Sequence, residues 1–425
     1  MNIRHTGSTF IDRHFHALTH RNYRYLWLGQ CVSLIGTWMQ NIGQSWLVLQ
    51  ITGSPFKLGL VGAFQFLPIL CFSLFAGIIV DKFPKKNILL VTQTVAMILA
   101  FTLAALVLTG TVKYSYILVL ALLLGLNNTL DMPTRQAFNI EIVGKEDLMN
   151  AIALNSTTFN MARIVGPSIG AVMMAMLGAG WCFLLNGISF IAVLYGLLHI
   201  QAAPYVRKQR SSEGVMKEIK DGIIYIARDP LLAQTVLLVT VIGTLAFNFN
   251  VLIPVFTKNV LHMGETTYGT LMSCLGVGSF AGALTMSFRS KQGPRIQISI
   301  IASLLVAICL IFNGLSSSVW LCGLILAFTG FFNIMFATNS NSNLQMNAKE
   351  EYRARVMSVY SLVFAGSTPI GNLFAGYVAD RFGANGAFVS CGVLTVILCL
   401  LIIWKYRKAS GGKEQATDEI EIVSS

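Results

Sequence analysis

The chain has 425 residues, 55% of them hydrophobic and only 11% charged, with a net charge of +12 and a mean hydropathy of +0.67. A soluble domain carries about 25% charged residues, so most of this polypeptide cannot face water. A nucleic-acid role is excluded by where the basic residues fall, since 25 of the 30 Lys and Arg lie on one side of the topology traced below.

Continuous apolar stretches lie near 25–50, 58–80, 87–109, 115–134, 151–177 and 181–199, and again near 231–257, 267–288, 296–315, 319–341, 356–379 and 385–404. Each approaches the roughly 20 residues that a spanning helix needs. Unbroken runs, rather than alternating segments of about ten residues, exclude a strand barrel. The spacing predicts an all-α membrane protein of twelve transmembrane helices. An arm (1–24) without the apolar core of a signal peptide leads into a six-helix half (25–200). A polar linker (201–230) joins it to a second six-helix half (231–404), and a polar tail (405–425) has the composition of a disordered segment. The two halves are parallel copies. Ile35-Gly36-Thr37 returns as Ile242-Gly243-Thr244 and Phe75-Ala76-Gly77 as Phe280-Ala281-Gly282. Gly144-Lys145-Glu146-Asp147-Leu148 has a fainter echo in Ala348-Lys349-Glu350-Glu351-Tyr352. In so apolar a chain, a head-to-tail repeat points to a transporter.

Along the first half, helix 1 carries Trp38, Gln40, Asn41 and Gln44, and helix 2 ends in Gly77-Ile-Ile-Val-Asp81-Lys82-Phe-Pro-Lys85-Lys86. An Asp at a helix end can cap a neighbouring helix's N-terminus, where the macrodipole favours negative charge; an ordinary topogenic basic loop is the other reading. Near the end of helix 4, Asn127 and Asn128 precede Asp131 and Arg135, whose spacing of four allows a local pair. Arg163 sits well inside helix 5. Charges at a helix centre cost roughly 2.5–3.5 kcal/mol on insertion scales, so each needs a reason. An Asp131–Arg163 pair loosened by protonation would couple protons to transport; a static pair joining helices 4 and 5 is the equal alternative. Glu141, Glu146 and Asp147 follow helix 4 and are expected to be solvated.

In the linker, Val215, Ile219, Ile223 and Ile226 share one face of an amphipathic helix, expected to lie on the membrane surface as a strap. The second half carries Asn248 and Asn250 in helix 7, Asn333 and Asn339 in helix 10, and Tyr360 in helix 11. No Asp or Glu lies within its spans. Intramembrane amides avoid lipid, which leaves two roles open, cavity lining and interhelical hydrogen bonding. Amides with aromatics and few charges suit a bulky, amphipathic, largely uncharged solute. Gly276-x-Gly278-x-x-Ala281 mimics a dinucleotide fingerprint, but inside an apolar helix, with Gly278-xxx-Gly282, it reads as close helix packing. No Walker loop and no HExxH occur, and the eight Cys all lie in apolar segments without metal-ligand spacing. No enzyme activity, cofactor or metal is expected.

The helix 2–3 segment resembles the signature of the major facilitator superfamily in Gly77, Asp81, Lys82, Lys85 and Lys86, with Pro84 in place of a second glycine. Gly166-Pro167-Ser168-Ile169-Gly170 resembles that superfamily's antiporter motif, with a partial copy at Thr368-Pro369-Ile370-Gly371. Asn22 to Gln30, Thr52-Gly-Ser-Pro55 and Asp229-Pro230 resemble the bacterial branch of the enterobactin exporter and macrolide-efflux proteins. The resemblance implies that Asp81 and its basic turn form a conformational latch and that helices 1, 4, 7 and 10 line a central cavity. The position matching Asp81 in the second half is Met286, so that latch is one-sided. Together these features predict a proton-coupled exporter of a drug-like or siderophore-like small molecule. Lipid or lysolipid translocation, metabolite uptake, and a non-transporting receptor are the alternatives. A monomer in contact with membrane lipids is expected in the bacterial inner membrane. The positive-inside rule places both termini in the cytoplasm.

Overall fold

The structure, a computed structural model, describes residues 16–144, 146–201, 215–289 and 292–423. After a short 3-10 turn (His16–Thr19), the helices are α1 (Arg21–Thr52), α2 (Pro55–Lys82), α3 (Lys85–Leu108), α4 (Tyr114–Val143), α5 (Leu148–Leu177) and α6 (Ala179–His199). There follow α7 (Val215–Arg228), α8 (Pro230–Leu245), α9 (Phe249–Asn259), α10 (Glu265–Arg289), α11 (Ile296–Leu315), α12 (Val319–Asn347) and α13 (Glu350–Val423). No strand occurs among the described residues. Among the described residues, ten stretches are long and apolar enough to cross a membrane. One, Glu350–Tyr406, is broken at Gly383, whose φ of 75° no helix interior adopts. With α1, too polar to count among the ten, the architecture is consistent with twelve crossings.

The helix starts follow from local chemistry. Ser54 accepts from the Lys57 N–H at 3.3 Å ahead of Pro55, and Asp229 accepts from Leu231 and Leu232 at 2.9 and 3.2 Å ahead of Pro230. Both are side-chain caps followed by a proline at the first helical position, where its missing N–H costs nothing. Two of the short strings shared with the bacterial branch are therefore helix-start signals.

Two compact units emerge. The first holds Met1–Arg210 with His262–Gly276, and the second holds Ser211–Leu261 with Val277–Ser425. In the first, α1 packs on α5 and α6, α2 on α4, and α3 on α4 and α6. Gly29, Gly36 and Gly43 recur every seven residues along α1, so they share one face. A Cβ on Gly29 would come within 2.8 Å of the Ala192 carbonyl oxygen, and one on Gly36 within 2.7 Å of Asn186 and Ser189. Small residues thus let α1 and α6 approach closely, as in lipid they must without a hydrophobic drive. Leu26, Leu89, Phe138, Val193, Leu197 and Ile200 close the core at one end.

In the second unit, α8 packs on α13, and α11 packs on both α12 and α13. Gly278 lies against the Ala327 carbonyl and Gly282 against that of Phe331, so the false dinucleotide string is a packing face. The amphipathic α7 docks on α13: Ile219 and Ile226 are buried, Tyr225 stacks on Tyr352 at 4.3 Å, and Asp221 meets Arg355 at 3.5 Å. Ile223, expected on the same buried face, stays about half exposed. This helix is therefore held by protein contacts as well as by amphipathicity.

Two expectations change. The seventh apolar run is interrupted between α8 and α9, where the Asn248 side chain takes the Thr244 carbonyl at 2.7 Å and competes with the helical ladder. The backbone of α13 continues to Val423, where composition predicted a disordered tail; side chains beyond Tyr406, like the arm before His16, lie outside the described residues.

Candidate functional site

The first unit contains a cavity of about 530 Å³ walled by α1 to α6. Carboxamides dominate its polar lining: Gln40 and Asn41 from α1, Asn127 and Asn128 from α4, with Gln65, Gln93, Asn155 and Asn186 from the other helices. Phe66, Phe159, Phe190 and Leu34 supply apolar wall. Several amides are already positioned by the protein. Asn186 donates to Gln40 at 2.7 Å and accepts from the Ser189 hydroxyl at 3.2 Å, which fixes the Asn186 side chain.

Asp131 and Arg135 form the charged part of the wall. Arg135 donates from Nη2 at 2.8 Å and from Nε at 3.2 Å to Oδ2 of Asp131. The other oxygen, Oδ1, accepts from the Thr92 hydroxyl and the Gln93 amide, both at 2.7 Å. Four donors converge on one carboxylate, and the two from the guanidinium are of the strong, charge-assisted kind.

The expected Asp131–Arg163 pair does not form. Helical spacing brings Arg135 to Asp131 first, and α3 fills the second oxygen. Arg163 instead lies with its guanidinium carbon 5.8 Å from the Trp38 ring centre, and Trp38 meets Phe159 edge-on at 5.7 Å. A cation over an indole face is favoured by the ring quadrupole. Trp38 packs against Arg163, and neither it nor the buried Gln44 is among the residues that line this first-unit cavity.

The antiporter-like glycines are contact points. Gly166 faces the Cβ of Trp38 and the Ile35 carbonyl, and Gly170 faces Ile42 and Met39, so both seat α5 on α1. The partial copy does the same in its own unit, where Gly371 lies against the Thr244 carbonyl of α8. Pro167 is buried between the two glycines of α5.

Around the basic turn, Lys85 pairs with Glu141 at 2.9 Å, so Glu141 is not merely solvated. Lys86 donates to the Ile200 carbonyl at 2.7 Å and neutralises the C-terminal end of α6. Lys82 is exposed, while Gly77 and Asp81 are half-buried in the last turns of α2.

The second-unit amides divide. Asn339 donates to the Arg295 carbonyl at 2.8 Å and to Ser299 at 2.7 Å, so it clamps the start of α11 and belongs to helix–helix bonding. Asn250 is exposed, and Tyr360 stacks with Phe364 at 5.9 Å. Asn333 is buried with both side-chain polar atoms unpaired, and so is Oδ1 of Asn248. Sequence reasoning did not single out Gln65, Gln93, Asn155 and Asn186, which lie outside helices 1, 4, 7 and 10, nor Gln30, Gln136 and Asn139 within helices 1 and 4. Their type was the available signal, since any intramembrane amide needs a partner.

Comparison with known proteins places these features. The sequence pattern of the family described as transmembrane secretion effector matches residues 13–420. The staphyloferrin A transporter of Staphylococcus aureus is 26% identical over 91% of this chain and 96% of its own. The multidrug efflux pump Tap of Mycolicibacterium fortuitum is 24% identical over 84% of this chain and 89% of its own. The enterobactin exporter EntS of Citrobacter koseri is 25% identical over 91% and 92%. Among solved structures, an inward-facing, unoccupied bacterial homologue of the human lysosomal transporter Spinster superposes with a TM-score of 0.74 at 11% identity, covering 91% of this chain and 97% of that one. The nucleoside transporter NupG gives 0.70 at 14% identity, over 90% and 98%. These last two show the fold alone. With the family pattern running over nearly its whole length, the chain belongs to the transmembrane secretion effector family, a branch of the major facilitator transporters and not a family of enzymes.

Proposed function

We propose that the protein exports a bulky, amphipathic small molecule of the siderophore or drug type, driven by protons. The amide-lined cavity beside the Asp131–Arg135 pair is the observation that carries this reading. Its volume suits a drug-sized solute. Its carboxamides match a solute rich in carbonyl and hydroxyl groups. The names of three relatives, a staphyloferrin A transporter, an enterobactin exporter and a multidrug efflux pump, favour the same chemistry.

Asp131 is the proton carrier in this proposal. Protonation would remove the charge that holds Arg135 and free the guanidinium to move or to meet an anionic group of the solute. Lys85 and Lys86, already tied to Glu141 and to the end of α6, would act with Asp81 as the latch. The protein would work as a monomer in the bacterial inner membrane, with both termini in the cytoplasm.

The test is flux in proteoliposomes under an imposed pH gradient, with siderophores and hydrophobic drugs as solutes. The unaltered protein is expected to show gradient-driven flux. Asp131→Asn is expected to lose that flux while keeping gradient-independent exchange. Flux indifferent to the gradient in the unaltered protein overturns proton coupling, and solute binding without flux overturns transport.

A further inference from the structure

His16, His20 and Asp147 meet although up to 131 residues separate them. His16 Nδ1 lies 2.7 Å from Oδ1 of Asp147, and His20 Nε2 lies 2.6 Å from Oδ2. One atom from each residue falls within 4.8 Å of the others. We propose that these three side chains bind a divalent first-row cation of the Zn²⁺, Ni²⁺ or Cu²⁺ class, which staples the segment ahead of α1 to the start of α5.

Ligand type supports this class. Two imidazoles and one carboxylate suit borderline cations rather than Mg²⁺ or Ca²⁺, which take oxygen ligands. Tetrahedral Zn²⁺ bonds of about 2.0–2.2 Å place neighbouring ligand atoms about 3.3 Å apart. Small side-chain rotations therefore convert the hydrogen-bonded cluster into a coordination site. His16, 57% exposed, has room to make them. Three protein ligands leave a fourth position for water.

The surroundings hold the ligands in place. Ala17, beside His16, is fully buried with Tyr23, Val143, Ala151 and Leu154. The Ala17 N–H donates to Asn150 at 3.0 Å, and the Tyr23 hydroxyl donates to the Ala151 carbonyl at 3.0 Å. Asp147 stands at the N-cap position of α5 yet makes no capping bond. An Asp there ordinarily bonds the first free N–H groups of its helix. This one instead turns both oxygens to the histidines, and the His20 hydrogen bond holds its carboxyl below the usual carboxylate range. His20 occupies the corresponding position of α1, also without a capping bond. Four of the chain's six histidines fall within its first twenty residues. One physical term opposes the site: the positive ends of two helix dipoles converge on it. Affinity must come from the coordination bonds and the Asp147 charge, which points to micromolar rather than tighter binding.

The experiment uses the full-length protein without a polyhistidine tag, in detergent, titrated with Co²⁺ by visible absorption and with Zn²⁺ by thermal shift. One equivalent is expected to bind with a Kd below about 100 μM, with a tetrahedral Co²⁺ band and a Zn²⁺-dependent rise in Tm. His16→Ala, at an exposed position, should keep the fold and weaken binding by at least about tenfold. Asp147→Asn should do the same, while His199→Ala binds as the unaltered protein does. A His–Asp latch without metal would leave Tm insensitive to Zn²⁺ while His16→Ala still lowers it. That result, or unchanged binding in His16→Ala and Asp147→Asn, overturns the proposal.

Discussion

At the scale of single residues, Asp131 decides the most. Its four hydrogen bonds come from three side chains on two helices, so replacing any one donor leaves the carboxylate partly served. Arg135→Ala removes the charged donor and is expected to cost about 1.5–3 kcal/mol, the usual worth of hydrogen bonds to a charged group, read as a fall in thermal stability in detergent. The value should sit low in that range, because the paired side chains keep 18% and 11% exposure. A second comparison separates lining from clamping. Asn127 lines the cavity, whereas Asn339 bonds only the start of α11 and Ser299. Asn127→Ala is expected to raise KM several-fold with little change in Tm. Asn339→Ala should lower stability by about 1–3 kcal/mol, the cost of orphaned buried polar groups, with KM unchanged. Equal effects of the two on KM would return Asn339 to the cavity.

At the scale of helices, close approach is set by where glycine falls. A methyl group on Gly278 would drive into the Ala327 carbonyl, which is backbone and cannot step aside. Gly278→Ala is therefore expected to destabilise by about 1–3 kcal/mol through overpacking. Gly264→Ala, with open space around its Cβ position, should be silent in the same melting assay. The spans themselves were legible in the sequence, because twenty apolar residues have few other uses. So were the turn strings at Ser54-Pro55 and Asp229-Pro230. The break before α9 was not, since a single side-chain bond from Asn248 makes it inside an apolar run. Asp131 was legible with two candidate partners, Arg135 one turn on and Arg163 at a similar depth on the next helix, and it pairs with Arg135. Depth along two helices is one coordinate, while Arg135 had the stronger claim of lying one turn away on the same helix. The His16–His20–Asp147 cluster was out of reach for a different reason. The two histidines show their spacing of four, but the carboxylate arrives only through the packing of α5 beside the start of α1.

At the scale of the whole molecule, the two halves share scaffold and differ in charge. Asp131, Arg135 and Arg163 all belong to the first six helices, and the apolar runs 231–257, 267–288, 296–315, 319–341, 356–379 and 385–404 of the second half carry no Asp or Glu. The repeat therefore supplies packing, as Gly170 on α1 and Gly371 on α8 show, and the unmatched charges are where the proposed proton coupling would lie. The basic residues outside the spans are uneven in another way, and that unevenness predicts an orientation. With 25 of 30 Lys and Arg in the termini, the linker and the loops on their side, the positive-inside rule predicts that those segments face the cytoplasm. The loop between α3 and α4 carries one Lys, Lys113, and the loop between α11 and α12 carries neither Lys nor Arg. Alkaline phosphatase fused within either loop should be active, because it folds only after export. A fluorescent protein fused after Ser425 should be bright, because it matures only in the cytoplasm. A dark C-terminal fusion together with an inactive phosphatase at residue 112 would mean an inverted chain. The side from which Asp131 meets protons, and with it the direction of export, would then reverse.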